Sequence, residues 1–162
     1  VIPINILWGV NVKLQNREIE ERMLSEYVAE KLRGVRTWTH LRLGMPPGLV
    51  RGDPDWEYER RLKMPRLMEC DLAYFQGDVL WLVEFKVRRF QEAVGKLLQY
   101  ALLAPSTPEL QDRGFERVRL KIVFGRPDQI AEELAQTLGI LTEQFEPPWL
   151  KEIISEERGG RN

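Results

Sequence analysis

The sequence predicts an α/β fold, a mixed sheet covered by helices, and three observations carry that expectation. Two runs rich in apolar, aromatic and β-branched residues, 67–75 and 79–87, are separated by Gln76-Gly77-Asp78, a hairpin signal. Segments 16–32, 90–103 and 128–138 have the periodicity of amphipathic helices. Another alternating run, 118–124, lies between the last two of these. A strand and hairpin followed by a helical crossover build an α/β sandwich.

The first sixteen residues hold apolar Val1 to Trp8 and then a Gly-Val-Asn-Val stretch, read as a short strand or a packing arm. Asn16 suits an N-cap and Gly34 a helix end, which predicts a helix to Leu32. Ile19, Met23, Leu24, Tyr27 and Val28 form its apolar arc. At about 100° per residue, Glu20 falls in the middle of that arc and off the solvated face. Val35 to Leu43 reads as a strand, and 44–55, with Pro46, Pro47, Gly48, Gly52 and Pro54, as a loop or flap. The charged stretch Trp56 to Met64 fits either a short helix or an edge strand.

After the hairpin, Phe90 to Leu103 reads as a helix that buries Phe90, Val94, Leu97 and Ala101 and ends before Pro105 and Pro108. Val118 to Phe124 is a strand closed by Gly125 and Pro127, and Asp128 to Leu138 a second amphipathic helix. From Gly139 the sequence predicts a loop at Pro147-Pro148, a short helix to about Ser155 and a frayed end.

At 162 residues with 43% hydrophobic content, the chain is expected to form one domain, with a core over about 17–138. Twenty-four Lys and Arg against 25 Asp and Glu give a net charge of −1, which argues against binding nucleic acid by bulk charge alone. A local cluster of charge is still allowed. Cys70 is the single cysteine, so no intrachain disulfide forms. The sequence has no signal-peptide pattern and no apolar run of the roughly 18 residues needed to span a bilayer. The expected location is therefore cytoplasmic.

The chemistry concentrates in the hairpin. With Gly77 and Asp78 as the central residues of a type II′ or I′ turn, opposed residue numbers sum to 155. Asp71 then lies opposite Glu84 and Glu69 opposite Lys86, all on one face, with opposed Cβ atoms about 4.5–5.5 Å apart. Two adjacent carboxylates inside an apolar hairpin repel, and one must stay protonated unless a cation intervenes. Hard carboxylate oxygens are the ligands that Mg²⁺ and Mn²⁺ prefer. The face of Leu80 and Leu82 turns polar at Glu84 and Lys86, while Trp81, Val83 and Phe85 keep the other face apolar. The same residues are equally compatible with a salt-bridge ladder on an open sheet face.

Met68-Glu-Cys-Asp71, twelve intervening residues, then Glu84-Phe-Lys86 resemble the signature of the PD-(D/E)xK nuclease superfamily. The element order is similar to that family's restriction-endonuclease-like αβββαβ core. The resemblance implies that Asp71, Glu84 and the backbone carbonyl of Phe85 bind Mg²⁺ or Mn²⁺, and that Lys86 orients or deprotonates the attacking water. It also implies a carboxylate from the first helix near the metal: Glu20 by its place in the arc, with Glu21 as the alternative, although a charge at a helix start equally well swings Glu20 into solvent.

Val94 to Tyr100 is similar to the Gln-x-x-x-Tyr helix of RecB-like and junction-cleaving relatives, with Lys96 in place of the Gln. Residues four apart share a helix face, so Lys96 and Tyr100 either reach a phosphate together or are respectively solvated and packed. Cys70 replaces a frequent Pro; pointing away from Asp71, it reads as core. His40, the single histidine, lacks a partner at zinc-ligand spacing. Basic residues gather at Arg60-Arg61, Lys63 and Arg66, and at Arg88-Arg89, a pair that either touches nucleic acid at a helix start or lies solvated. Trp38, Trp56 and Trp81 read as core or flap residues.

The expected function is a metal-dependent deoxyribonuclease of a repair, recombination or phage and defence kind. DNA is the partner, RNA a second substrate option, and a homodimer is compatible with the resemblance alone. A nuclease-fold module that binds nucleic acid or protein without turnover, and a plain structural domain, are the competing readings.

Overall fold

A computed structural model of the protein describes residues 16–159. Of the first sixteen residues, expected as a short strand or arm, 1–15 lie outside the described residues, as do residues 160–162. The elements, in order, are α1 (Asn16–Lys31), β1 (Thr37–Arg42), α2 (Trp56–Lys63), β2 (Glu69–Gln76), β3 (Val79–Lys86), α3 (Phe90–Leu103), the one-turn α4 (Pro108–Gln111), β4 (Arg117–Phe124), α5 (Gln129–Thr137), β5 (Leu141–Gln144) and α6 (Pro148–Gly159).

Among the described residues five strands form one sheet in the order β1-β2-β3-β4-β5. β1, β2 and β3 are antiparallel neighbours, whereas β4 runs parallel to β3 and β5 parallel to β4. The sheet is mixed because α3 carries the chain over its face between β3 and β4, and a helical crossover delivers the next strand in parallel.

Alternation along β3 divides the interior in two. Leu80 and Leu82 pack with Phe90, Ala93, Val94, Leu97 and Tyr100 of α3 and with Ala131 and Ala135 of α5. Val83 and Phe85 pack on the opposite face with Ile19, Met23, Leu24 and Tyr27 of α1 and with Leu150 of α6. Each fully buried Leu or Phe stabilises such a core by roughly 1.5–3 kcal/mol. The result is the three-layer α/β arrangement expected, with helices on both faces of the sheet. In α3 the buried face includes Tyr100, and Ala101 is half-buried.

The hairpin register is as expected, from Gln76↔Val79 to Leu72↔Val83, each pair summing to 155. Within the turn, positive φ is confined to Gly77, at 63°, the pattern of a type II′ turn. Several boundaries differ from expectation. β1 begins at Thr37 rather than Val35. The ambiguous 56–64 stretch is helical, with Arg60 buried at its centre. β5 was not foreseen: Leu-Thr-Glu-Gln is four residues long, half-exposed and without an apolar alternation to announce it. The last helix runs on past Ser155 to Gly159.

Candidate active site

The paired register between β2 and β3 stops at Leu72↔Val83. Beyond it the carboxylates of Asp71 and Glu84 take the place of backbone ladder bonds. The Phe85 N–H donates to Oδ2 of Asp71 at 2.9 Å, and the Asp71 N–H reaches Oε1 of Glu84 at 3.4 Å. The two acids therefore meet in the opening between strands, each held by the other strand's backbone. The Gly125 N–H donates to the Lys86 carbonyl at 2.8 Å, so that carbonyl points toward β4. Successive carbonyls of a strand alternate in direction, which turns the Phe85 carbonyl back toward the opening that holds Asp71.

On the other edge of β2 the ladder is also interrupted. Thr39 pairs with Leu72 and Leu41 with Cys70, but no pair joins His40 to Asp71, and His40 has a left-handed φ of 55°. Such a backbone costs a non-glycine residue about 1–2 kcal/mol. Strict alternation breaks here: Leu72 packs on the α1 side, while Cys70, two residues away, joins Leu80 and Leu82 on the α3 side. Cys70 is wholly buried, as expected of a core residue, but the simple alternation that was to place it does not hold. Glu69 likewise does not face Lys86. Its carboxylate binds Arg42 at 2.9 Å and His40 at 3.0 Å, because β1 supplies nearer cationic partners.

Helix α1 brings Glu20 to the same place. Its mid-arc position turns it inward, and its Oε1 accepts from the Val87 N–H at 3.1 Å. Its other oxygen lies 3.9 Å from the buried Lys86 ammonium. Glu21, the alternative, is directed instead to His40 Nε2 at 2.7 Å. From α3, Lys96 stands 3.8 Å from Glu84 Oε2 with 43% of its side chain exposed. The Tyr100 hydroxyl lies 2.7 Å from Glu84 Oε1 and 2.6 Å from the Glu69 carbonyl. Of the two alternatives for Tyr100 the structure shows the packed one: the residue is 1% exposed and its hydroxyl, at the cavity wall, is taken by Glu84 and the Glu69 carbonyl.

These groups line one cavity of about 520 Å³, walled by Glu20, Glu21 and Leu24 of α1, His40 and Arg42 of β1, Asp71, Glu84 and Lys86 of the hairpin, and Lys96 and Tyr100 of α3. Arg88 and Arg89 do not line it. Arg88 bonds Asn16 and pairs with Glu157 of α6, beside a separate cavity. Arg89 is 76% exposed, has a φ of 54° and pairs with Glu92 at 3.8 Å. Of the two alternatives for this pair the structure shows the solvated one for Arg89, while Arg88 is directed to α6 and away from the cavity, because β3 ends by turning them that way. Arg60, expected in a surface basic cluster, is buried. It bonds the Gly44 and Arg42 carbonyls and Glu109, tying the base of the 44–55 loop to α4.

Burial raises the pKa of Glu84 to about 7, with the Asp71 charge beside it adding to the rise. Burial also raises Asp71, against the Phe85 hydrogen bond and the Lys86 charge, which lower it. Glu20 is raised by burial too, with Lys86 opposing. Burial works against a charged His40, yet the Glu21 and Glu69 carboxylates on its two nitrogens together hold its pKa above the usual value.

Three desolvated carboxylates facing two ammonium groups resist ionising together, a conflict that a hard cation would relieve. Among the described residues no three His, Cys, Asp or Glu side chains are grouped to hold a metal ion by themselves. The oxygens of Asp71 and Glu84 and the Phe85 carbonyl are hard donors, of the kind that Mg²⁺ and Mn²⁺ prefer. His40 was not foreseen as lining the site, since the left-handed backbone that brings it to Glu69 has no sequence signal. Among the described residues no helix is long and apolar enough to cross a membrane.

No protein-family model matches the chain, and no curated protein matches it. Solved structures of similar shape include a repair endonuclease from Pyrococcus abyssi, at TM-score 0.46 and 19% identity over 79% of this chain and 47% of that one. Another is protein VC1899 from Vibrio cholerae, at TM-score 0.45 and 14% identity over 89% of this chain and 32% of that one. A third is an EndoMS–dsDNA2 complex, at TM-score 0.43 and 19% identity over 80% of this chain and 45% of that one. The chain spans less than half the length of each of these three.

Proposed function

We propose that the protein is a metal-dependent nuclease of the PD-(D/E)xK kind that hydrolyses DNA phosphodiester bonds. The observation that carries this reading is the meeting of the Asp71 and Glu84 carboxylates in the opening between β2 and β3, each hydrogen-bonded across the gap, with Lys86 two residues further on. Asp71, Glu84 and the Phe85 carbonyl would hold the divalent cation. When bound, such an ion polarises the phosphodiester and lowers the pKa of water.

The chain's own residues do the rest. Lys86, buried and 3.9 Å from Glu20, orients the attacking water beside the phosphate. Glu20 holds the Lys86 ammonium in that direction, itself fixed by the Val87 N–H. Lys96, half in solvent, draws the anionic backbone into the cavity. Tyr100 keeps the Glu84 carboxylate aimed at the opening. Hydrolysis forms a bond from water oxygen to phosphorus, breaks the bond to one nucleoside oxygen and passes the proton to that oxygen or to solvent.

The reading is tested by cleavage of labelled duplex, single-stranded and junction DNA, and of RNA, with Mg²⁺ or Mn²⁺. Asp71→Ala and Lys86→Ala should abolish cleavage while circular dichroism stays that of the parent. Full activity in either variant, or in EDTA, sinks the mechanism.

One observation favours a second reading, a module that binds without turnover: both acids already have backbone or tyrosine partners. Calorimetric titration separates the two, because such a module takes up no Mn²⁺.

A further inference from the structure

The three residues in the row across β1, β2 and β3 at the site are His40, Asp71 and Glu84, and neither neighbouring pair forms a ladder rung. Counting back from Leu41↔Cys70 and forward from Thr39↔Leu72, His40 occupies the place of Asp71's partner on β1. Its left-handed backbone, φ 55°, removes that rung and turns the imidazole up to α1. There Nε2 bonds Oε1 of Glu21 at 2.7 Å, while Nδ1 bonds Oε1 of Glu69 at 3.0 Å. Carboxylates only accept, so two such bonds need a hydrogen on each ring nitrogen.

The two carboxylates come from elements that carry the chemistry. Glu21 adjoins Glu20 on α1, and Glu69 stands two residues before Asp71 on β2. The imidazole thus ties α1 to β2 at the end of the sheet where the acids meet. Arg42 steadies the arrangement by pairing with the second oxygen of Glu69 at 2.9 Å. With both nitrogens in use, the ring has no lone pair to offer a cation.

We propose that His40 is a positioning residue: by bridging Glu21 and Glu69 it sets the separation of the helix that carries Glu20 and the strand that carries Asp71, and so the width of the metal-binding opening. The part concerning metal rests on the nuclease reading; the part concerning geometry does not. A free surface histidine would leave α1 and β2 to find their own spacing. Residues acting through a ligand's neighbours in this way commonly shift metal affinity by about 10–100-fold.

The experiment uses the full chain. His40→Asn keeps a residue that tolerates the left-handed conformation, but its side chain is too short to bridge. Glu21→Ala removes the other end, and Glu21→Gln retains an oxygen that accepts from the ring. Two readouts are taken: Mn²⁺ affinity by calorimetry, and hydrogen exchange of the Phe85 and Val87 amides, which report on Asp71 and Glu20. His40→Asn and Glu21→Ala should each weaken Mn²⁺ binding by about tenfold and speed exchange at both amides. The double variant should cost no more than either single one, and Glu21→Gln should stay near the parent. Parent-like affinity and exchange in His40→Asn overturn the proposal. Additive losses in the double variant overturn it too, since they mean the residues act separately. Should the parent bind no Mn²⁺, the nuclease reading falls, and the exchange data alone then decide whether His40 sets the spacing.

Discussion

The Tyr100 hydroxyl touches Oε1 of Glu84 at 2.7 Å and the carbonyl of Glu69 at 2.6 Å. A single O–H hydrogen serves one acceptor at a time. When Glu84 is protonated, it donates to the tyrosine oxygen and Tyr100 donates to the carbonyl; when Glu84 is ionised, Tyr100 turns its hydrogen to the carboxylate. Tyr100 is therefore fitted to hold Glu84 in either state. Tyr100→Phe removes that support while keeping the ring packed among Leu97 and Leu80. Mn²⁺ affinity should fall by about 10–100-fold with little loss of thermal stability, as read by calorimetry and by Tm.

Glu84 gives the protein a pH dependence of defined sign. Its pKa rises from 4.5 to about 7 on folding, chiefly by burial and then by the Asp71 charge. The folded state then holds a proton that the unfolded chain releases, so stability is fullest below pH 4.5 and is lost as pH climbs toward about 7. Glu84→Gln abolishes that loss, which is worth on the order of 3 kcal/mol. Its Tm should match the parent's near pH 4.5 and exceed it by roughly 6–12 °C at pH 8. Equal Tm values at pH 8 would contradict this account of the site. Mn²⁺ added to the parent at pH 8 should recover the same stability, since binding the native state alone raises it.

Arg60 is a structural cation. Its side chain is 5% exposed and bonds two carbonyls and Glu109. Arg60→Ala leaves the Gly44 and Arg42 carbonyls and the half-buried Glu109 carboxylate without their partner. Leaving such groups unpaired costs on the order of 3 kcal/mol, measurable as a lower urea midpoint with an unchanged slope. A neutral result would mean that the 44–55 loop is not anchored through this residue.

Lys96 and Arg89 differ in their expected effect on nucleic acid. Lys96 lines the cavity within 3.8 Å of Glu84, whereas Arg89 is spent on Glu92 outside it. Lys96→Ala should weaken DNA binding several-fold at low salt and reduce the salt slope by about one unit. Arg89→Ala should leave both within error, by fluorescence anisotropy across a salt series. The reverse ranking would move the binding surface to the start of α3.

Local periodicity made much of the fold legible. The two-residue turn at Gly77-Asp78 set the hairpin register, the apolar arc of α1 turned Glu20 inward, and Leu80 and Leu82 against Val83 and Phe85 divided the two core layers. Each depends on neighbours within a turn or a strand, where spacing in sequence is spacing in space. The short polar β5 and the charged α2 were opaque, because neither carries enough apolar repeat to reveal its state.

The sequence by itself thus determined which acids and which lysine share the hairpin. Only the tertiary structure decided how they meet. The opening at Asp71, the left-handed turn of His40, the capture of Glu69 by β1 and the loss of Arg88 to Glu157 all arise between elements distant in sequence. Charged side chains take the nearest opposite charge that folding brings within about 4 Å, and no local pattern encodes which charge that will be.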